Sequence, residues 1–489
     1  MNSRVYAEKA VESGERLLTT MDRNKESPTY GCFSRPYWHD KTTDFPSAHQ
    51  QIGVLPLTLL YKTDFEGNYF YKSESVRAYI DAAVEFWSKI QRQNGSFDEH
   101  YPNEHSVGAV AWTLWSITES QLVLENPPNI DEEVRKSVDF LQRNDEPGEL
   151  ANHQAVAINA LLNAERITDR GLKEAKERMS TLEEMQHKEG WFKEYKGADI
   201  GYQSTTLSHL GHIWKKNREI VDRSMIQKGL EFFSSFIDDS NYYAGNIGSR
   251  HTKHIHPSGF EVLADDFELA EKICGSIRKN KDRGKLLEPY QIDDKHFSRE
   301  LSEYLLAYQE ASKINKSLKS VDEKTFEPIR IRKDGRETYF INTSKGGAID
   351  SYREGKLVER DTGVAVKDKG VYTSNWPDST ICVSEKEGKL KVVGELRKVP
   401  RNTLPHAYFM LYRLFCYTLG RSSFLSLNAK DFLIRLLIRE KSSNKSFERI
   451  IDLETGEVSN SVNGKEVKGE VRSNFVPSSE FFSKELLRH

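Results

Sequence analysis

Cysteine is nearly missing from this sequence. There are four in 489 residues, Cys32, Cys274, Cys382 and Cys416, and no two of them form a CxxC pair. That scarcity excludes a disulfide frame and fits reduced, partly buried thiols of a cytoplasmic protein. Long apolar runs are missing too, and no stretch approaches the roughly 18 apolar residues of a spanning helix. The start, MNSRVYAEKAVESGERLLTT, reads as a charged amphipathic helix without a signal peptide's apolar core. The expected location is therefore cytoplasmic. An excess of one charge is also lacking, with 71 Lys and Arg against 74 Asp and Glu, a formal −3. This argues against a general nucleic-acid binder, so any attraction for an anionic partner has to be local.

What is present is length and aromatic side chains. The length suggests two to four domains and ample core. The 21 Tyr, 24 Phe and 7 Trp exceed what a plain helical scaffold needs. Such a surplus often lines carbohydrate sites, though most of it serves as core.

Helix-period apolar positions dominate the first part. In SVRAYIDAAVEFWSKIQRQ, residues Val76, Tyr79, Ile80, Ala83, Val84, Trp87 and Ile90 form one stripe. Residues 1 to about 22 read as one helix, and Pro56 predicts a kink in HQQIGVLPLTLLYK. Ten or more helices follow in antiparallel order, which fits an open solenoid or a closed α/α toroid. Near Ser317 short β-rich runs bounded by Gly, Asp or Asn take over, which predicts an antiparallel β-sandwich. The expected division is a helical domain over 1–316 carrying the site and a β-sandwich domain over 317–489. A helical insert at about 405–441 interrupts the latter.

A repeat marks the loops. Gly95, Phe97 and Glu99 in NGSFDEHY match Gly190, Phe192 and Glu194 in GWFKEYKGADIGY, and Gly31 and Phe33 form a weaker third copy. Repeated helix–loop–helix units predict equivalent loops gathered on one face. Tyr202, at the first turn of the helix after the second copy, is placed for proton transfer. On the residues alone the plainer reading is a core tyrosine with its hydroxyl satisfied. Asn152 and His153 open another helix, where exposed N–H groups favour a carboxylate, although Asn also caps helices without any ligand. The segment NIGSRHTKHIHPSGFE gathers Arg250, His251, Lys253, His254 and His256 into a local positive pocket suited to carboxylates or sulfates. Its histidines could ligate a metal, but no Cys or carboxylate at metal-ligand spacing accompanies them.

NHQAVAINALLNA, GWFKEYKGADIGYQS and SRHTKHIHPSGFE, followed by a β-rich half opening YFINTSKGGAI, resemble the heparinase II/III-type polysaccharide lyases. The resemblance implies an α/α toroid followed by a β-sandwich, acting without a cofactor on an acidic, uronate-containing glycan by β-elimination. It implies that Asn152 and His153 engage the uronate carboxylate, that Tyr202 is the catalytic tyrosine, and that His254 or His256 shares the proton transfers. Arg250, His251 and Glu194 join the expected substrate-binding set, with Trp38, His39 and Lys41 of RPYWHDK as subsite residues. Secreted lyases of this type carry a signal peptide, and this sequence shows none.

Three other readings stay open. A uronate C5-epimerase shares the proton abstraction. A glycoside hydrolase would use a carboxylate pair from Asp98, Glu99, Glu194 and Asp199, about 5 to 10 Å apart. A non-catalytic glycan-binding or assembly factor of surface polysaccharide production is the third. It is suggested by the insert, where Arg413, Arg421, Lys430, Arg435, Arg439 and Lys441 interleave with Phe, Leu and Ile. Such a segment could rest on an anionic membrane, or be a helical pair packed between the two domains. Nothing in the sequence speaks to oligomeric state.

Overall fold

A computed structural model describes residues 2–146, 148–195, 197–238, 243–245, 247–320, 322–376, 380–398, 405–438 and 442–467. Thirteen α-helices come first: α1 (Ala10–Thr20), α2 (Arg35–Trp38), α3 (Val54–Lys62), α4 (Glu74–Ile90), α5 (Val107–Val123), α6 (Asp131–Arg143) and α7 (Ala151–Thr168), then α8 (Leu172–Glu184), α9 (Ile200–Lys216), α10 (Arg223–Phe233), α11 (Ser258–Leu263), α12 (Glu268–Asp282) and α13 (Phe297–Gln309).

Two kinds of helix alternate. In α4, α6 and α10 the apolar residues make one stripe and much of the rest meets solvent. In α5, α7 and α9 nearly every position is buried, including Ser and Thr side chains that donate to carbonyls one turn back. Such a helix needs neighbours on all sides, and it has them. Helix α3 packs on α5, α5 on α7, α7 on α9, α9 on α11, α11 on α13, and α13 returns to α3. The amphipathic helices lie outside this closed cycle, α4 on α3, α6 on α5 and α7, α8 on α7, α10 on α9 and α12 on α11.

The repeated loops share one geometry. Gly95 and Gly190 have φ of 85° and 93°, and a Cβ at either would sit 2.0–2.1 Å from the carbonyl oxygen of Lys136 or Lys228 on the next outer helix. Gly31 meets Ala82 in the same way. Only a residue without a side chain allows that approach. Two sequence expectations need correction. The start is a short 3₁₀ turn (Arg4–Tyr6) and then α1, rather than one helix. Pro56 causes no kink, because a 3₁₀ segment (Ala48–Gly53) leads into α3 and the proline falls in the first turn, where its missing N–H costs no bond.

The strands follow. The first sheet is antiparallel, in the order β1 (Lys324–Thr325), β2 (Ile329–Asp334), β3 (Glu337–Asn342), β4 (Ala348–Arg353), β5 (Lys356–Asp361). The second contains β6 (Ala365–Lys367), β7 (Val371–Thr373), β8 (Cys382–Lys386), β9 (Lys389–Lys398), β10 (Ser442–Asp452), β11 (Val458–Val462) and β12 (Lys465–Glu466). Its order is β12-β11-β10-β9-β7-β6, and β8 also pairs with β9. Period-two alternation gives the first sheet two apolar faces. Ile329, Ile331, Phe340 and Tyr352 join the core of the helices, where Phe340 meets Phe236. Ile341 and Ile349 face Leu390, Val392, Phe447 and Ile451 of the second sheet. The buried Arg449 guanidinium bonds Gly347 O, Asn460 and Asp361 and so pins the layers together.

Between β9 and β10 stand α14 (His406–Tyr417) and α15 (Ser423–Ile438). This pair rests on the loops of the helical part. Asn103 Nδ2 donates to Cys416 O at 2.9 Å, Ser426 Oγ donates to Asn103 O at 2.7 Å, and Arg413 and Tyr417 hold Asp44. Among the described residues, only one side of the pair is covered. Arg439 and Lys441, named above, lie outside the described residues. No helix among the described residues is long and apolar enough to cross a membrane.

Candidate active site

The inner helices bring their N-terminal ends to one mouth. His49 before α3, Glu99 before α5, Asn152 on α7, Tyr202 on α9, His254 before α11 and Arg299 on α13 are joined there by a chain of contacts. His49 Nδ1 is 3.7 Å from Glu99, and Lys295 Nζ is 2.8 Å from the same carboxylate. The His49 ring lies against His296, and Arg299 Nη2 is 3.5 Å from His254 Nδ1. Helix N-termini present free N–H groups and a partial positive charge of about half a unit each, which favours an anionic ligand at this end.

Tyr202 occupies the first turn of α9. Asp199 caps that helix, accepting from Tyr202 N at 3.2 Å and from Arg250 N at 2.7 Å. The tyrosine ring is partly exposed and stands edge-on to His254, with centroids 5.2 Å apart at 85°. To act as a base at neutral pH this phenol would need a cationic neighbourhood that brings its pKa down. Arg299 and Arg250 do pull it down, but burial outweighs them and the hydroxyl stays above its usual 10. Tyr202 is therefore a protonated group at neutral pH.

Asn152 is buried and committed to Glu194. Its backbone N and its Nδ2 both donate to Glu194 Oε1 at 2.8 Å, while Asn152 Oδ1 and Glu194 Oε2 are left without partners. Burial pushes the Glu194 carboxyl up to about 7, although Asn152 opposes the shift. His153 is the more open of the two residues and lies 3.2 Å from Glu146. Lys430 of α15 reaches the same place, 3.1 Å from Glu104 and 3.8 Å from Glu146.

The histidine loop is not the open basic pocket that its composition suggests. His254 and His256 are 0% exposed and stacked at 4.8 Å, and burial holds both well below the ordinary histidine pKa. Neither meets a bound sugar in this conformation. His254 lies 3.1 Å from Thr205 Oγ1, and His256 Nε2 lies 2.9 Å from Glu300. His251 turns to Lys345 at 2.6 Å, and the Arg250 guanidinium covers the Tyr195 ring at 4.2 Å. Trp38, His39 and Lys41 are held by other contacts. The Trp38 indole donates to Thr20 O, His39 pairs with Asp40, and Lys41 is exposed in a left-handed turn.

Two groups have the makings of a metal site: His254, His256 and Glu300, and Glu99, His100 and Glu104. The carboxylate that the histidine loop lacked in sequence comes from α13. In both groups, however, a cation is already built in. Arg299 stands against His254 and Glu300, and Lys295 and Lys430 stand against Glu99 and Glu104. A divalent ion would meet that charge at close range, which favours a proton and ion-pair network over metal binding.

Of the four candidate carboxylates, Asp98 and Asp199 anchor backbone. Asp98 accepts from the N–H groups of Asn103, Glu104 and His105 and pairs with Arg92. Glu99 is held well below the usual carboxylate range against its own burial by His49, His100 and Lys295. Arg299, Glu300, Lys295, Glu146 and Lys430 carried no motif in the sequence. All but Glu146, seven positions before His153, stand far along the chain from the residues they meet, and only the fold brings them in. A groove of about 910 Å³ lies beside this mouth, lined in part by Asp44, Arg92, Asp98, His105 and Arg421. Tyr202, Asn152 and His254 do not line it.

No family model matches the chain, and no curated protein matches it. Solved structures do. A chondroitin AC lyase from Streptomyces coelicolor A3, in complex with chondroitin sulphate, aligns over 81% of this chain and 63% of its own, at 13% identity and a TM-score of 0.52. This chain therefore spans less than two thirds of that enzyme's length. Two others align at TM-scores of 0.44 and 0.40. They are a cellobiose 2-epimerase from Bacillus thermoamylovorans B4167 (13% identity, 62% of this chain and 99% of that one) and a chondroitinase AC lyase (9% identity, 81% and 66%). At such identities the first likeness speaks for the fold alone.

Proposed function

We propose that this chain is a polysaccharide lyase that cleaves a uronic-acid-containing glycan by β-elimination. In this reading the closed helix cycle is an α/α toroid over 1–316, the two sheets are a β-sandwich over 317–489, and the mouth is the active site. The observation that carries it is Tyr202: part-exposed at a helix start, protonated, edge-on to a neutral histidine and flanked by two arginines. The fold likeness to a chondroitin AC lyase supports the reading.

Elimination removes H5, breaks the C4–O4 bond, leaves a C4=C5 double bond and delivers a proton to O4. The bound carboxylate is neutralised by Arg250 and the helix N-termini, with the buried Asn152 holding Glu194 behind them, which lets negative charge develop on the sugar acid. Tyr202 hands its proton to O4, as its raised pKa suits an acid. His153, open at the mouth and set by Glu146, takes H5. His254, His256 and Glu300 hold Tyr202 and Arg299 in place from beneath. The test is incubation of the purified chain with uronate polysaccharides. Unsaturated, UV-absorbing ends should form, and Tyr202→Phe should lower the rate by about 10²-fold or more with an unchanged fold. Deuterium uptake from solvent without cleavage would instead assign a C5-epimerase.

A second reading has its own observation. Glu194 is pushed up to about 7 while Glu99 is pulled down, an acid and an ionised base as a glycoside hydrolase uses them. New reducing ends without unsaturation, lost in Glu99→Gln and kept in Tyr202→Phe, would establish it.

A further inference from the structure

The α14–α15 pair is inside out. Two of its cations face the protein, Arg413 on Asp44 and Lys430 on Glu104 and Glu146, and the residues buried on that side are Cys416, Gly420 and Ser426. Its large apolar side chains face away. Met410 is 71% exposed and Phe424 73%, and Tyr408, Phe409, Leu411, Leu414, Leu419 and Phe432 are all more than half exposed. An ordinary surface helix shows the opposite arrangement.

The shape of the patch says what covers it. Tyr408, Phe409, Met410 and Leu411 are consecutive on one helix, so at about 100° per residue they point around roughly 300° of its circumference. A protein groove covers one stripe of a helix, whereas lipid surrounds it. Helix α14 has 12 residues, about 18 Å, well short of the roughly 30 Å hydrocarbon core, so it can enter one leaflet but cannot span. Charge sets the choice of lipid. With Arg413 and Lys430 paired with Asp44, Glu104 and Glu146, the sequence of residues 405–441 keeps Arg421, Arg435, Arg439 and Lys441 against Asp431 and Glu440, a net +2, in a chain whose total is −3. A segment with aromatic and aliphatic side chains outward and excess positive charge matches an interfacial helix on an anionic surface.

We propose that α14 and the start of α15 form a monotopic membrane anchor that seats in an anionic lipid leaflet and holds the mouth of the ring beside the lipid surface. This surface is independent of which reaction the mouth performs. It brings the site next to whatever acidic glycan is carried at or delivered from that surface.

The experiment is flotation of the full chain with phosphatidylcholine vesicles and with vesicles that also contain phosphatidylglycerol. The chain should float with the anionic vesicles and weakly or not at all with the neutral ones. The double variant Met410→Glu/Leu411→Glu, at two exposed positions, should keep the parent's thermal melt and lose about tenfold or more of the bound fraction. No flotation with anionic vesicles overturns the proposal, and so does equal flotation of the double variant. A dimer in light scattering that the double variant turns into monomer, with no flotation, assigns the face to a second copy and also overturns it.

Discussion

Replacing Glu194 with glutamine should stabilise the protein in mild alkali relative to its effect in acid. The carboxyl is buried, and its pKa rises from an ordinary 4.5 to about 7, chiefly through burial. Between those values the folded chain holds a proton that the unfolded chain has released. Stability therefore falls as pH rises through that window, and the loss is complete above about 7. A span of about 2.5 pH units corresponds to about 3 kcal/mol. Glutamine has no proton to lose. Both Asn152 bonds go to Oε1, so the amide carbonyl of Gln can accept them in the same geometry. Its NH₂ would fall at Oε2, which has no partner, and that offset does not depend on pH. Glu303, also pushed up to about 7, and Asp199, up to about 6, add slope of the same sign to the parent. The variant-minus-parent difference isolates Glu194. Urea unfolding followed by tryptophan fluorescence at pH 5 and pH 8 measures it. A difference that stays constant to within about 1 kcal/mol between the two would refute the reasoning.

Three further outcomes are expected. Gly190→Ala drives a Cβ to 2.1 Å from Lys228 O and should cost more than about 2 kcal/mol, whereas Gly284→Ala, with nothing within 4 Å, should cost about 1 kcal/mol or less by the same denaturation assay. Lys430→Met leaves Glu104 and Glu146 short of a buried partner and should destabilise by about 3 kcal/mol, and limited proteolysis should then cut residues 405–438 faster. Of the four thiols, Cys382 is exposed and the others are buried, with Cys32 pushed up to about 12, so a thiol reagent should titrate one group quickly in the native protein and four after denaturation.

Much of the architecture was legible because it lives in local pattern. The change from a 3.6-residue to a two-residue period near Ser317 lies between the end of α13 at Gln309 and the start of β1 at Lys324. The Gly-x-Phe-x-Glu repeat was visible because one backbone approach is used again around the ring. Which helices are inner was not read from the sequence, because α7 and α9 bury Asn, Gln, Ser, Thr and His side chains along with apolar ones. Burial and long-range partnership were not legible. Charge-rich composition made the 250–256 loop read as an open pocket, yet α9 and α13 close over His254 and His256. Arg299 meets His254, 45 positions back, only because α13 packs on α11, and no local spacing announces it. Pro56 misled for a related reason, since whether a proline bends a helix depends on which turn it occupies.

The closing of the ring by α13 also fixes when in the life of the molecule a site can exist. A growing chain that has emerged only through α9 already displays Asn152, Glu194 and Tyr202, but it is an open arc whose apolar inner helices lack their last neighbours. The mouth is assembled only once residue 309 has left the ribosome and found α3. Fragments that stop short of it should be sticky. A newly made copy thereby has no complete mouth before its scaffold is whole.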